Sequence, residues 1–386
     1  MKICSVTLCG NSENDIGDAI KSIINHVDVI CFINTGSTDQ SSQIAREIAG
    51  DKFVEKHYQW INDFADARNS FFKFAQECEC DYFVIVDSDE RIVFDEKFSI
   101  YDLKNLLSLE KLDGYSFRYQ SKGGNFSYLK EKILKSDISD QYRYSQKTHE
   151  CFPMYALKTK VFSEGHFWEL GKNKEKLIKK FQRDIEILTH ELAEKPSDPR
   201  STFYMARSHH DLWTQQDNPK LNQYHAIQAL EWYQKRTQIQ GYYDEKYISQ
   251  LYSSRIKKNI GWNDGIGYSE IDVLDSFMKC TQYNSDRIEH FEHIIEYYQS
   301  QKDWENAYIF SSYAVKKIWK DFLFSEPQIY QWKIYDLHAM NCFYARHHNE
   351  MKKYGEILKQ ILENKNLIPL NHTERIKSNL KFYLPL

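Results

Sequence analysis

The sequence lacks any apolar run approaching the ~20 residues that cross a bilayer. Its opening, MKICSVTLCGNSEND, reaches polar side chains too soon for a signal peptide. Net charge is nearly absent: the formal balance is −4 with both signs interspersed, so there is no field for capturing nucleic acid or an anionic membrane. None of the eight cysteines, at 4, 9, 31, 78, 80, 151, 280 and 342, forms a C-x-x-C pair, and the spacing of Cys78 and Cys80 argues against a zinc site there. The reading is a reduced, cytoplasmic protein whose cysteines pack as small hydrophobes. What is there is soluble globular material, 27% charged and 41% hydrophobic, in 386 residues. That length favours two domains, each able to bury its own core.

The first ~150 residues alternate strand and helix patterns, as in a parallel α/β sheet. KICSVTL, DVICFIN, KFVEKHY and DYFVIVD read as strands; DIGDAIKSIINHV, SSQIAREIAG, DFADARNSFFKFAQEC and SIYDLKNLLSLEKL read as helices. GYSFRYQ, FSYLKEKIL and YRYSQ, with the turn KGGN, suggest hairpins added to that sheet, making it mixed. The texture changes at about Asn173, which divides the chain into 1–172 and 173–386. The second part opens with the amphipathic helix EKLIKKFQRDIEILTHELAEKP and continues as helices and short turns. A loose repeat sets Trp262 and Trp304 at a 42-residue spacing, with Met351 near the next such position. Stacked helical hairpins of tetratricopeptide (TPR) type have this logic, because one hairpin cannot bury both its faces.

In a parallel α/β sheet ligands gather beyond the carboxyl ends of the strands. The second strand ends at Asn34-Thr35-Gly36-Ser37-Thr38-Asp39 and the fourth at Asp87-Ser88-Asp89. Alternation along an extended segment puts Asp87 and Asp89 on one side. Two such carboxylates suit a hard divalent cation; the bland alternative is a solvated turn capping the next helix.

Several segments together resemble family 2 of the glycosyltransferases, enzymes of GT-A fold that use nucleotide sugars. They are SVTLCGNSEND, INTGSTDQS, WINDFADARNSFF, VDSDE as a D-x-D element, and QKTHECF. The resemblance extends in detail over roughly the first 170 residues and is closest to a branch with a TPR-like helical domain after the catalytic one. It implies an inverting hexosyltransferase that moves a sugar from a nucleoside-diphosphate sugar, UDP-linked by expectation, with Mn²⁺ or Mg²⁺. Thr7, Asn11, Asn34, Thr35, Gly36, Ser37 and Asp39 would hold the nucleoside. Arg68, on a helix begun by Asp63, would meet the diphosphate; Asn69 and Ser88 would also bind the donor, and Asp87 would be a direct metal ligand or a ribose and water-mediated partner. Asp87, Asp89 and His149 would hold the metal, Asp89 being the strongest ligand candidate. Glu150 would be the base, with Asp137 and Asp140 as rivals; His166 would touch phosphate or acceptor, or simply pack.

Two departures from the family stand out: Asn34 occupies a position usually held by Asp, and Ser12 separates Asn11 from Glu13. The helical half would present a peptide or protein acceptor or form a homodimer interface. Two other classes stay open: a TPR-type scaffold with an inactive GT-A-like domain, and a nucleotidyltransferase. The latter usually wants a Gly-rich phosphate loop, and LCGNSEND offers one glycine.

Overall fold

The computed structural model describes residues 1–120, 128–171, 173–263, 266–320, 322–364 and 367–384. The described residues fall into two compact units that part between Pro196 and Ser197.

In the first unit the strands are β1 (Ile3–Cys9), β2 (Val29–Asn34), β3 (Phe53–His57), β4 (Tyr82–Ile85), β5 (Glu90–Phe94), β6 (Gly114–Tyr119), β7 (Leu129–Lys135) and β8 (Thr159–Glu169). The helices are α1 (Ile16–Ile23), α2 (Ser41–Ala49), α3 (Phe64–Glu77), α4 (Ile100–Glu110) and α5 (Lys174–Glu194). The strands make one sheet in the order β3-β2-β1-β4-β7-β6-β8-β5. Pairs β1–β2, β1–β4 and β2–β3 are parallel, while β4–β7, β6–β7 and β5–β8 are antiparallel, so the sheet is mixed as expected. β4 and β5 are joined by one short turn yet lie four places apart in the sheet, about 19 Å if it were flat. A tight turn cannot cover that, so the sheet curls until β5 returns beside the end of β4.

Alternation along the strands feeds two apolar layers. Ile30, Phe32 and Val84 belong to the layer of α1 and α2, where Ile16, Ile20 and Ala45 pack. Cys31, Ile33, Phe83 and Ile85 belong to the opposite one, with Phe71, Phe72 and Ala75 of α3. There Phe83 meets Phe72 edge-on at 5.0 Å, a geometry that aromatic rings favour. Cys4, Cys31, Cys78 and Cys80 sit in this second layer, and every cysteine is a free thiol.

Two strands, β5 and β8, have no counterpart in the sequence reading. YRYSQ is not a strand: its one pairing is an isolated bridge from Ser145 to Cys151. The KGGN turn lies outside the described residues. The unit boundary also falls after α5 rather than at 172/173, because α5 is tied into the first unit. Asp184 accepts from Thr148 Oγ1 at 3.4 Å, and Glu191 from Lys147 N–H at 2.6 Å.

The second unit is helical: α6 (Pro199–Gln215), α7 (Pro219–Gln238), α8 (Tyr243–Ile260), α9 (Glu270–Met278), α10 (Glu289–Ser300), α11 (Trp304–Ala314), α12 (Ile334–Tyr344), α13 (His348–Glu363) and α14 (Leu370–Tyr383). A short hairpin pairs residues 262–263 with 266–267. Each helix packs on the next. The 42-residue spacing reappears as contacts between equivalent positions of neighbouring hairpins. Tyr247 Oη donates to Glu289, Gln299 to Asn341 and Tyr308 to Glu350, in each case 42 residues on. Among the described residues no helix is long and apolar enough to cross a membrane.

Candidate active site

The parallel strands β1, β2 and β4 end side by side, with Cys9 opposite Asn34 and Val6 opposite Ile85. Their loops are knitted together. Asn11 Oδ1 accepts from Thr38 N–H at 2.8 Å, and Asp39 Oδ2 from Glu13 N–H at 3.0 Å. Ser88 Oγ donates to Ser12 Oγ at 3.1 Å, so the extra serine of the first loop bonds the turn after β4. Thr7 is buried within β1, and Thr35 donates its hydroxyl to the Cys9 carbonyl at 3.1 Å.

Asn34 shapes the second loop. Its Oδ1 accepts from Gly36 N–H (2.9 Å) and Ser37 N–H (2.8 Å), and its Nδ2 donates to Glu55 Oε1 at 3.0 Å. An aspartate here would set one carboxylate against another, so Glu55 accounts physically for the amide. Gly36 has φ +103°, a conformation side chains rarely adopt. Asp39 receives the hydroxyl of Ser37 at 2.8 Å and the N–H and hydroxyl of Ser41. Desolvation acts upward on Asp39, but these donors and Glu13 N–H hold it down at about 2.

The Asp-Ser-Asp segment is not extended. Glu90 N–H donates to the Asp87 carbonyl at 2.9 Å, closing a turn, and Glu90 Oε2 accepts Asp87 N–H at 2.9 Å. Side-chain alternation therefore does not apply there. Asp87 receives Arg68 through both guanidinium ends, Nη1 at 3.1 Å and Nη2 at 2.8 Å, and Lys130 Nζ at 3.2 Å. Lys130 reaches on to Glu90 at 3.0 Å, and Lys132 also binds Glu90. Burial pushes the Asp87 carboxyl up, but Arg68, Lys130 and Lys132 outweigh it and hold the group well below the usual range.

The Nε of Arg68 donates to Glu150, so one guanidinium joins the turn after β4 to the His-Glu loop. Backbone bonds of 3.1 Å in both directions between Ser145 and Cys151 close that loop. Gln146 and His149 within it have φ of +75° and +53°. Left-handed backbone at non-glycine residues costs free energy, and such strain concentrates at functional sites. Nε2 of His149 lies 3.5 Å from Asp184, which is fully buried in α5. Burial lowers the imidazole's pKa, with Asp184 opposing.

The other expected site residues are placed elsewhere. Asn69 clamps backbone: its Nδ2 donates to the Tyr144 carbonyl (3.1 Å) and its Oδ1 accepts Tyr144 N–H (2.8 Å). Asp63 caps α3 by accepting Asp66 N–H at 2.9 Å. The rival bases are surface groups, Asp137 paired to Lys135 and Asp140 to Arg143. His166 is half-buried in β8 opposite Val93. Sequence reasoning missed Lys130, Lys132, Glu90 and Asp184; the alternation in LKEK was the signal for the two lysines, which share a strand face.

The trio Asp87, Asp89 and His149 does not form a ready metal site. Among the described residues, the one group of three or more His, Cys, Asp or Glu with converging ligand atoms lies elsewhere, at His338, Cys342 and Glu350. Asp87 is neutralised by Arg68 and Lys130, and Nε2 of His149 faces Asp184. Only by giving up these partners would Asp87 and His149 ligate a cation.

A mixed α/β sheet has gathered polar loops and a charged turn at the carboxyl ends of its parallel strands, where sheets of this kind hold ligands. Residues 5–165 match the family model of glycosyl transferase family 2. The first unit is a family 2 glycosyltransferase domain, and the protein that carries it is a glycosyltransferase. That family generally draws on nucleotide-sugar donors and often on divalent metals. No curated protein matches the chain. Among solved structures, the crystal structure of MamA aligns with 54% of this chain and 99% of its own, at 13% identity and a TM-score of 0.33.

Proposed function

We propose that the first unit transfers a sugar, with inversion, from a nucleoside-diphosphate sugar, UDP-linked by expectation, to an acceptor. The observation that carries this reading is the Arg68 bridge: one buried guanidinium spans Asp87 at the end of β4 and Glu150 of the His-Glu loop. Inversion needs a base on one side of the reacting carbon and positive charge at the leaving diphosphate on the other. The acceptor oxygen attacks the anomeric carbon while the bond to the diphosphate oxygen breaks, the electron pair leaving with the diphosphate. Glu150 takes the acceptor's proton. Arg68 and Lys130, now spent on Asp87, supply the cations for which the diphosphate competes, and a forked guanidinium suits its oxygens. Manganese or magnesium would use Asp87 and Asp89 only after that exchange.

A polypeptide acceptor is the finer part of the proposal, supported by the exposed Tyr242, Tyr243 and Tyr313 of the hairpin stack. Release of nucleoside diphosphate from a panel of UDP-, GDP- and TDP-sugars, with manganese or with chelator, tests the reading. One donor should turn over, and Glu150→Gln should slow it by ~10²–10⁴-fold. Turnover of no donor, or an unchanged rate in Glu150→Gln, sinks it.

A further inference from the structure

The hairpin of α12 and α13 brings together three side chains that no part of the sugar-transfer reading uses. His338 and Cys342 are one turn apart on α12 and fully buried; Glu350, in the first turn of α13, is 47% exposed. His338 Nε2 lies 3.3 Å from Glu350 Oε2 and 3.5 Å from Cys342 Sγ. All three potential ligand atoms fall within 4.8 Å of one another.

The hydrogen bonds behind the ring decide what Nε2 offers. His338 Nδ1 is 2.8 Å from Ser311 Oγ. Ser311 donates its own proton to the Tyr308 carbonyl at 3.1 Å and accepts from Asn341 Nδ2 at 3.1 Å. With the Ser311 proton on the Tyr308 carbonyl, the serine oxygen accepts from the imidazole, Nδ1 is the protonated nitrogen and Nε2 presents a lone pair. That lone pair, the Cys342 sulfur and a Glu350 oxygen then converge beside buried helix surface, a donor set that a cation can share.

Distances agree. Zinc bonds of about 2.0–2.1 Å to nitrogen and oxygen and about 2.3 Å to sulfur give tetrahedral edges of roughly 3.3 Å (N···O) and 3.5 Å (N···S). Those are the separations already present. The imidazole has its outer nitrogen fixed by Ser311, and Tyr308 Oη donates to Glu350 Oε2 at 3.1 Å, the supporting bonds that metal-ligating side chains usually have.

We propose that His338 Nε2, Cys342 Sγ and Glu350 Oε2 form a site for a borderline-soft divalent cation, zinc in kind. The fourth position opens on the Glu350 side and is filled by water. A thiolate-imidazole-carboxylate set selects against magnesium and calcium. Bound there, the ion pins α13 to α12 and stiffens the last hairpins of the stack. The proposal concerns the second unit alone and does not rest on the sugar-transfer reading.

Cobalt(II) titrated into the full-length, chelator-treated protein provides the test, because a thiolate–cobalt bond gives a near-ultraviolet charge-transfer band. The wild type should show that band with tetrahedral visible absorption, displaced by zinc. Cys342→Ser should lose the band, and Glu350→Gln, a change at a half-exposed position that the fold tolerates, should weaken binding. Ser311→Ala should weaken it by roughly 10–100-fold. Absence of the band from the wild type, or a band that survives in Cys342→Ser, overturns the proposal. In the first case Cys342 simply donates its S–H to Nε2. Affinity unchanged in Glu350→Gln would remove the carboxylate, and the three-ligand site with it.

Discussion

Both units bury an arginine between two carboxylates, and the two arginines differ in one respect. Arg287 is 0% exposed; it binds Glu289, also 0% exposed, with Nη2–Oε1 at 2.6 Å, and lies 3.8 Å from Asp244. Arg68 is 8% exposed, and its partners Asp87 and Glu150 keep 22% and 14% of their surface. Sealed in the stack, the Arg287 charges are held by protein groups, with Tyr247 and Tyr330 donating to Glu289 and the Leu323 carbonyl accepting from Arg287, and they serve to specify how hairpins register. Opened at the carboxyl ends of strands, the Arg68 charges can be shared with an incoming anion. The chemistry is the same; access to water separates architecture from function.

The largest expected difference between the units is in acid. Burial lowers His209 to about 4, with His225 adding to it, and lowers His210 and His290 to about 3. Arg207 and Arg255 push His210 further down, while Glu289 opposes the shift at His290. These folded-state values lie below the unfolded one near 6.5, so the native state binds fewer protons. The resulting stability is complete above about pH 6.5 and drains away as pH falls toward the folded values. Three groups at about 1.4 kcal/mol per pH unit each make a loss on the order of 5 kcal/mol by about pH 5. Calorimetry across that range should show the helical unit's transition moving down ahead of the sheet's; transitions that move together would break the comparison.

Next in size is the paired substitution of the two arginines. Arg287→Met leaves Glu289 charged and enclosed, and should cost about 3–5 kcal/mol in urea unfolding. Donor turnover per folded molecule should not change. Arg68→Met leaves carboxylates that water and Lys130 can reach, so its stability cost should be smaller, about 1–2 kcal/mol, while turnover falls by ~100-fold or more. A stability loss as large as that of Arg287→Met, with donor turnover preserved, would make Arg68 another structural clasp.

The contrast also explains what could be read in the sequence. β1 to β4 and α1 to α4 were legible because each carries its own periodicity and its own turn. β8 was not: in TKVFSEGHFWE the polar residues interrupt the pattern, and what makes it a strand is pairing with β5 and β6, far away in the chain. β5 failed for the same reason, since ERIVF follows directly on the acidic turn. The loop of Asn34 was legible as a turn, but Glu55, twenty-one residues on, decides why it is Asn. Motif reading singled out Arg68, Asp87 and Glu150, but that the three touch depends on the fold. Asp184 was hidden because a carboxylate on an amphipathic helix normally points to water; here it meets His149 inside the unit.

The smallest expected effect separates motif from geometry most cleanly. The resemblance makes Asn69 a donor-binding residue, whereas its amide is spent on the backbone N–H and carbonyl of Tyr144. Tyr144 precedes the loop that carries Glu150, so the amide acts as a positioning group, one step removed from donor. Asn69→Ala should then cost about 1–2 kcal/mol in unfolding free energy, from a buried backbone donor left unpaired. It should reduce kcat by loosening the Glu150 loop, and leave the donor KM nearly unchanged, because no donor contact is lost. Asn69→Asp sharpens the test: a carboxylate can still accept Tyr144 N–H but cannot donate to the carbonyl, so it should recover part of the stability and little of the rate. A rise in donor KM at unchanged stability would instead place Asn69 on the diphosphate, and the strand-end site would extend further along α3 than the Arg68 bridge implies.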